Sequence, residues 1–122
     1  MATVIIDGKD GGGQILRTGL TLSAITGLKI VIRNIRAGRP KPGLQDQHST
    51  CVNAVARLIG ATVTGAEIGA MELIFEPPKF DGRRPIYLPL DNVTIDIGTA
   101  GSTMLVVQTL LPILHFHRFL HF

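Results

Sequence analysis

The sequence predicts an α+β fold built from repeated β-α-β-α-β-β units, one complete and a second begun. Three observations point to it. Short β-branched runs alternate with stretches of helical apolar spacing, and clusters of glycine and proline separate them. The opening strand, glycine turn and helix also recur at a constant offset of 89 residues: Val4 falls on Val93, Ile6 on Ile95, Asp7 on Asp96, Gly12 on Gly101 and Leu16 on Leu105. The 122 residues, 45% of them hydrophobic, suffice for one ordinary domain core.

Val4-Ile5-Ile6 reads as a short buried strand, broken by Gly11-Gly12-Gly13. Ile15, Leu16, Gly19, Leu20 and Leu22 then recur at helical spacing until Gly27 stops the helix. Lys29 to Ile35 has the β-branched density of a second strand, and Ala37 to Gly43, with two prolines and two glycines, is a loop. From Gln47 onward, Cys51, Val52, Val55, Leu58 and Ile59 mark one face of a second helix capped by Gly60. Thr62 to Glu67 and Met71 to Glu76 form two strands around Gly69, closed by Pro77-Pro78. Residues 1–78 are thus a first unit. Residues 79–116 begin a second, with Val93 to Asp96 a strand, Gly98 to Ser102 a turn and Met104 to Leu114 a helix containing Pro112. Residues 117–122 are expected to be an irregular tail.

Net charge is only +3, but Lys29, Arg33, Arg36, Arg39 and Lys41 place five positive charges in thirteen residues without one acid. Such a run creates a local field attractive to phosphate. The single Cys51 excludes an internal disulfide and a cysteine-only zinc site, and suits a reducing compartment. No signal peptide is visible, and the apolar stretch Met104 to Leu114 falls short of the roughly 20 residues a bilayer span needs. The chain reads as soluble and intracellular, with no membrane partner. Its last helix is expected to leave apolar surface exposed, through which a homo-oligomer could form.

Asp10-Gly11-Gly12-Gly13-Gln14 and Gly98-Thr99-Ala100-Gly101-Ser102 both lead into helices. A helix N-terminus offers unpaired N–H groups and the positive end of a dipole, and glycine admits an anion close to the backbone. Neither turn has Walker or dinucleotide spacing, and glycine's commoner use is simple turn punctuation. The segment Arg36 to His48 says more: arginine forks suit bidentate phosphate recognition, and Pro40 and Pro42 stiffen the loop that carries them. A solvated basic loop is the plainer reading. Arg17, one turn into the first helix, is placed to face the same anion, whereas His48 by itself reads as a capping or surface residue. His115, His117 and His121 have no companion carboxylate or cysteine to complete a metal site. Cys51, on an apolar face, reads as a buried structural thiol.

These stretches resemble the RNA 3′-terminal phosphate cyclase family. The resemblance is carried by Gly11 to Arg17, by Ile35 to Leu44 with Gln47-His48, and by Asp96 to Ser102 with Gln108 to Pro112, and it runs from about Thr3 to about Phe116. It implies β-α-β-α-β-β units like the C-terminal domain of translation initiation factor three. It also implies an AMP-forming ligase activity: ATP and a divalent metal, Mg or Mn, adenylate an enzyme histidine, AMP passes to an RNA 3′-phosphate, and the neighbouring 2′-hydroxyl displaces it to give a 2′,3′-cyclic phosphate. Activation by a good leaving group and proximity of the nucleophile make that displacement feasible. The implied partners are ATP and RNA 3′ ends, and the implied location is the cytoplasm, or the nucleus of a eukaryote.

Carried over residue by residue, Arg17, Arg36, Arg39 and Gln47 would hold phosphates of ATP or of the RNA end, and Gln108 would contact the nucleotide. Asp10 stands where the family has a glutamate that contacts metal, in a glycine loop shorter than the family pattern. The family's adenylated histidine belongs to a C-terminal segment beyond this sequence, so the chain is expected to be an N-terminal portion, inactive alone. The alternative is a cyclase-like protein without catalysis, acting in RNA binding or ribosome assembly. Retention of the arginines and glutamines favours the enzyme, since a scaffold has no need of a phosphate clamp.

Overall fold

A computed structural model describes residues 2–78, residue 94 and residues 103–120, excluding the side chains of residues 117–120. Its elements run β1 (Thr3–Asp7), α1 (Gly13–Thr26), β2 (Lys29–Arg33), α2 (Asp46–Ile59), β3 (Thr62–Thr64), β4 (Leu73–Glu76) and α3 (Thr103–Leu120). The first six reproduce the expected β-α-β-α-β-β order. The expected strand at Val93 to Asp96 and the turn at Gly98 to Ser102 lie outside the described residues.

The four strands form one mixed sheet in the order β1-β2-β4-β3. β1 and β2 are parallel, with Ile5 opposite Val31, so the chain must cross back between them through α1. β4 runs antiparallel to both β2 and β3. The parallel pair has one consequence for function: the chain leaves β1 and β2 at the same edge of the sheet, and each exit leads to a helix N-terminus.

Alternation along the strands points Ile30 and Ile32 of β2 and Leu73 and Phe75 of β4 to the helical side, where all four are buried. Gly19 lets α1 settle on them, because a Cβ there would lie 3.1 Å from Ile6 Cδ1 and 3.3 Å from Ile32 Cδ1. Val52, Val55, Leu58 and Ile59 of α2 complete the layer. The other sheet face is thinner, and Ile5 on it is 58% exposed. Gly27 and Gly60 end α1 and α2 in the left-handed conformation, each donating its N–H back to the last turn.

α3 packs on α1 and α2, burying Val106, Thr109, Leu110 and Ile113 while Met104, Val107 and Leu111 face outward. Thr21 Oγ1 donates to the Thr109 carbonyl at 3.3 Å, and Thr109 Oγ1 reaches the buried Cys51 Sγ at 3.9 Å, which ties the three helices together. Cys51 is the structural thiol expected, and burial pushes its pKa up. α3 continues to Leu120, through residues expected to form an irregular tail, because nothing after Pro112 interrupts helical backbone bonding. No helix of the described residues is long and apolar enough to cross a membrane.

Two strand boundaries also differ from expectation. β2 stops at Arg33 because Asn34 and Arg36 take positive φ values of 55° and 50°. The turn expected at Gly69 is present, closed by the Ala70 N–H donating to the Glu67 carbonyl at 3.0 Å with Gly69 at φ 86°, but β3 and β4 are shorter than the sequence suggested, because residues 69–71 also bond to the loop after β2: Gly69 N–H to the Leu44 carbonyl, Leu44 N–H to that of Ala70, and Ile35 N–H to that of Met71. At their meeting point Gly43 has φ 82°, and a Cβ there would collide with the Gly69 carbonyl. Gly43→Ala should therefore lower stability by about 1–3 kcal/mol. A urea unfolding midpoint equal to that of the parent chain would contradict this account of the loop.

Candidate phosphate-binding site

The turn after β1 and the loop after β2 are fastened to each other before either helix starts. Gly8 donates its N–H to the Arg33 carbonyl at 2.7 Å, and Asp7 Oδ1 accepts from Asn34 Nδ2 at 3.1 Å and from the Lys9 N–H at 3.0 Å. Those two hydrogen bonds, the Asn34 one foremost, hold the Asp7 carboxyl below the usual range. The fastening sets the first turn of α1 against the first turn of α2. A Cβ on Gly13 would lie 2.7 Å from His48 Nε2 and 3.2 Å from Arg17 Nη1, and one on Gly12 would lie 2.7 Å from Arg39 Nη2.

Residues from three separate positions in the chain thus converge on one helix N-terminus. Gly12 caps α1 in an extended conformation, φ −113°, with no side-chain cap. These glycines answer a demand for room, which the punctuation reading did not anticipate. Free N–H groups at the start of a helix, flanked by guanidinium groups, make a site for an anion with phosphate's geometry.

His48 is 4% exposed. Its Nδ1 accepts the Gln45 N–H at 3.0 Å, so in the neutral ring the proton sits on Nε2, and Nε2 faces the first turn of α1. The bond is half of a capping box in which the Gln45 side chain also engages the His48 N–H. Among the described residues Nε2 has no hydrogen-bond partner. A buried donor left unmatched costs about 1–3 kcal/mol, which an anionic ligand would recover. Burial, then the charges of Arg36 and Arg17, lowers the His48 pKa and keeps the ring neutral.

The other expected site residues divide into groups. Arg17 is half-buried and oriented by Gln14, whose Oε1 accepts from Arg17 Nη2 at 2.6 Å. Arg17, Gln14 and Gln108 share a cavity of about 200 Å³ between α1 and α3, with Thr18, Thr21 and Pro112. Pro112 has no N–H to offer the Gln108 carbonyl, which loosens the helical ladder beside that cavity. Arg39 is exposed, with its guanidinium against Gly12 and no side-chain hydrogen bond to another described residue. Gln47 is half-buried in the first turn of α2, its amide likewise without a described partner. Arg36 differs from these: its Nη1 donates to the Lys41 carbonyl at 2.5 Å and to the Gly43 carbonyl at 3.0 Å.

Asp10 is exposed in the turn before α1. No group of three His, Cys, Asp or Glu side chains among the described residues could hold a metal ion. A lone carboxylate beside a phosphate cradle fits a divalent ion held chiefly by phosphate oxygens and water, as Mg commonly is, and does not fit an all-protein cage.

Known proteins resemble this chain over most of its length. The sequence model of the family described as RNA 3′-terminal phosphate cyclase matches residues 8–119. The chain belongs to that family. It is 54% identical over 111 residues to an RNA 3′-terminal phosphate cyclase of Sulfolobus acidocaldarius, covering 89% of this chain and 31% of the relative. It is 49% identical over 117 residues to one from Pyrococcus furiosus, covering 94% and 32%. This cyclase-family chain therefore spans about a third of the length of the curated relatives it matches. The sequence suggested a capping role for His48, which it fills toward Gln45, but no part beside the first turn of α1, and it suggested no role for Gln14 itself. Their positions beside the glycine turn before α1 and the glutamines at the start of α2 marked the neighbourhood, but burial and tautomer have no signature in a string of letters.

Two outcomes follow for the cyclase-family site. Gly13→Ala places a methyl group where His48 Nε2 and Arg17 converge and should weaken pyrophosphate binding at least tenfold, measured by calorimetric titration, with the fold retained by circular dichroism. The second concerns pH. The unfolded chain protonates His48 near its ordinary 6.5 while the folded chain resists, so the stability tied to the neutral ring is complete above that pH and is lost as pH falls below it. Urea midpoints at about pH 7.5 and 5.0 should show a smaller acid loss in His48→Gln than in the parent.

Proposed function

We propose that this chain supplies the phosphate-binding part of an enzyme that uses ATP to convert an RNA 3′-phosphate into a 2′,3′-cyclic phosphate through adenylated intermediates. The observation that carries the reading is the convergence of Arg17, Arg39 and the His48 Nε2–H on the N-terminal turn of α1. Membership in the cyclase family supports it.

In the closing step the ribose 2′-hydroxyl attacks the activated 3′-phosphorus, a P–O bond forms, AMP leaves and the hydroxyl proton is lost. Negative charge spreads over the non-bridging oxygens as this happens. Fixed guanidinium groups and helix N–H groups oriented beforehand stabilise that charge without reorganising, which is the expected protein contribution to such transfers. Arg17, held by Gln14, and Arg39, lying against Gly12, take this role. Gln47 adds an amide donor at the start of α2, and Gln108 contacts the nucleotide from across the cavity. A divalent ion, when bound beside Asp10, would neutralise charge on the nucleotide phosphates.

His48 is unsuited to be the adenylated nucleophile: its Nδ1 lone pair is taken by the Gln45 N–H, and Nε2 carries a proton. The chain as it stands is therefore proposed to bind and orient, with the covalent chemistry falling to a histidine elsewhere in the protein. RNA 3′ ends and ATP are the proposed partners, in the reducing interior of the cell.

The test incubates the purified chain with α-labelled ATP, Mg or Mn, and an oligonucleotide bearing a 3′-phosphate. Binding of both ligands is expected, with neither a cyclic end nor protein-bound AMP. Arg39→Ala should weaken binding by about 1–3 kcal/mol, the size of a charged hydrogen bond. Absence of both ATP and 3′-phosphate binding would remove the reading. RNA binding indifferent to the 3′-phosphate, with no ATP binding, would instead favour a non-catalytic RNA-binding factor.

A further inference from the structure

The segment from Arg36 to His48 contains two arginines that stand in contrasting surroundings. Arg39 lies on the helix N-terminus with its guanidinium uncommitted among the described residues. Arg36, half-buried and with a φ of 50°, turns its guanidinium back onto its own loop, where Nη1 spans the Lys41 and Gly43 carbonyls. Gln45 Nε2 approaches the same two carbonyls at 3.3 and 3.5 Å. Arg36 and Gln45 therefore clasp the stretch 41–43 together, while Leu44 is pinned on both its N–H and its carbonyl by Ala70 and Gly69.

That clasp fixes the main chain of Gln45, whose N–H is the group bonded to His48 Nδ1. We infer that Arg36 is a positioning residue, which holds the ring of His48 in the Nε2–H tautomer through this loop so that a donor faces the anion site, and that phosphate is contacted by Arg17, Arg39 and His48 in its stead. The inference rests on the proposed phosphate site for its purpose, though not for its geometry. The groups facing the ring are Gln45 from its own helix, Gly13 and Arg17 from α1, and Arg36 from the loop. The Gln45 amide oxygen, the side-chain acceptor among them, is engaged by the His48 main-chain N–H, so none of them holds a proton on Nδ1. The Gln45 N–H alone selects the tautomer, and its aim depends on the clasp. A ring free to change tautomer would present a lone pair to the bound phosphate for part of the time, and lone pair against anion is repulsive.

The experiment is a long-range ¹H–¹⁵N spectrum of the imidazole rings in the full 122-residue chain at neutral pH, with His48 assigned by its loss in His48→Gln. The parent is expected to show the Nε2–H pattern. Arg36→Ala should shift His48 toward a mixture of tautomers and raise the pyrophosphate dissociation constant about tenfold, the worth of one hydrogen bond. Arg39→Ala should weaken pyrophosphate binding and leave the ring pattern alone. An Arg36→Ala chain with the parent's ring pattern overturns the inference, and if its pyrophosphate affinity also falls, Arg36 is a direct ligand. Failure of the parent to bind pyrophosphate would overturn the phosphate site, while the ring comparison would still decide what Arg36 does. Should circular dichroism show Arg36→Ala unfolded, Arg36→Gln is judged by the same criteria.

Discussion

Gly13 and His48 bring the opening turns of two helices together, and the rest of the described architecture serves that contact. Two helix N-termini placed side by side repel, since each carries partial positive charge and unpaired donors. The structure tolerates the arrangement by keeping His48 neutral and by adding no side chain at Gly12 or Gly13. Cationic groups gathered this densely, with Arg17 and Arg39 alongside, leave the protein with a concentrated demand for negative charge. The parallel β1–β2 pair imposes it, because parallel neighbours joined through a helix must release their chains at one edge.

Binding at such a place uses contributions of different kinds. Arg39 offers charge at the surface, where water screens it, and so speaks for attraction and salt sensitivity. Arg17, half-buried and held by Gln14, offers direction. His48 offers a neutral donor in a dry setting, where a hydrogen bond discriminates by geometry more than by charge. Together they favour a tetrahedral anion held on several sides over a carboxylate or a diffuse polyanion.

Much of this was legible in the residues. The element order came from apolar spacing and glycine punctuation, and Cys51, Val52, Val55, Leu58 and Ile59, read as one face of α2, are all buried, with Ala54 and His48 buried beside them. Arg17 and Arg39 were picked out by charge and chain position, and they lie against the adjacent glycines Gly13 and Gly12. The sequence could not reveal that Arg36, equal to Arg39 in letter and motif, would turn inward, because that depends on a positive φ and on the carbonyls of Lys41 and Gly43 becoming available together. Nor did it reveal why Gly12 and Gly13 are glycines, since Arg39 and His48, which need the room, lie 27 positions after Gly12 and 35 after Gly13. The shortened β3–β4 ladder has the same origin: the turn at Gly69 was legible, but the backbone of residues 69–71 is claimed by a loop that sequence distance hides.

The fastening of Asp7 to Asn34 and of Gly8 to Arg33 carries one more consequence. The side chains set against Gly12 and Gly13, those of Arg17, Arg39 and His48, come from residues 17 to 48, one contiguous stretch shorter than half of the chain. The strands β3 and β4 and the helix α3 act as backing, holding this stretch in shape from behind. In such an arrangement the far edge of the sheet, around Gly27-Leu28 and Gly60-Ala61, stands apart from the first turn of α1, so that segments or neighbours joined there would leave the surroundings of that turn unaltered.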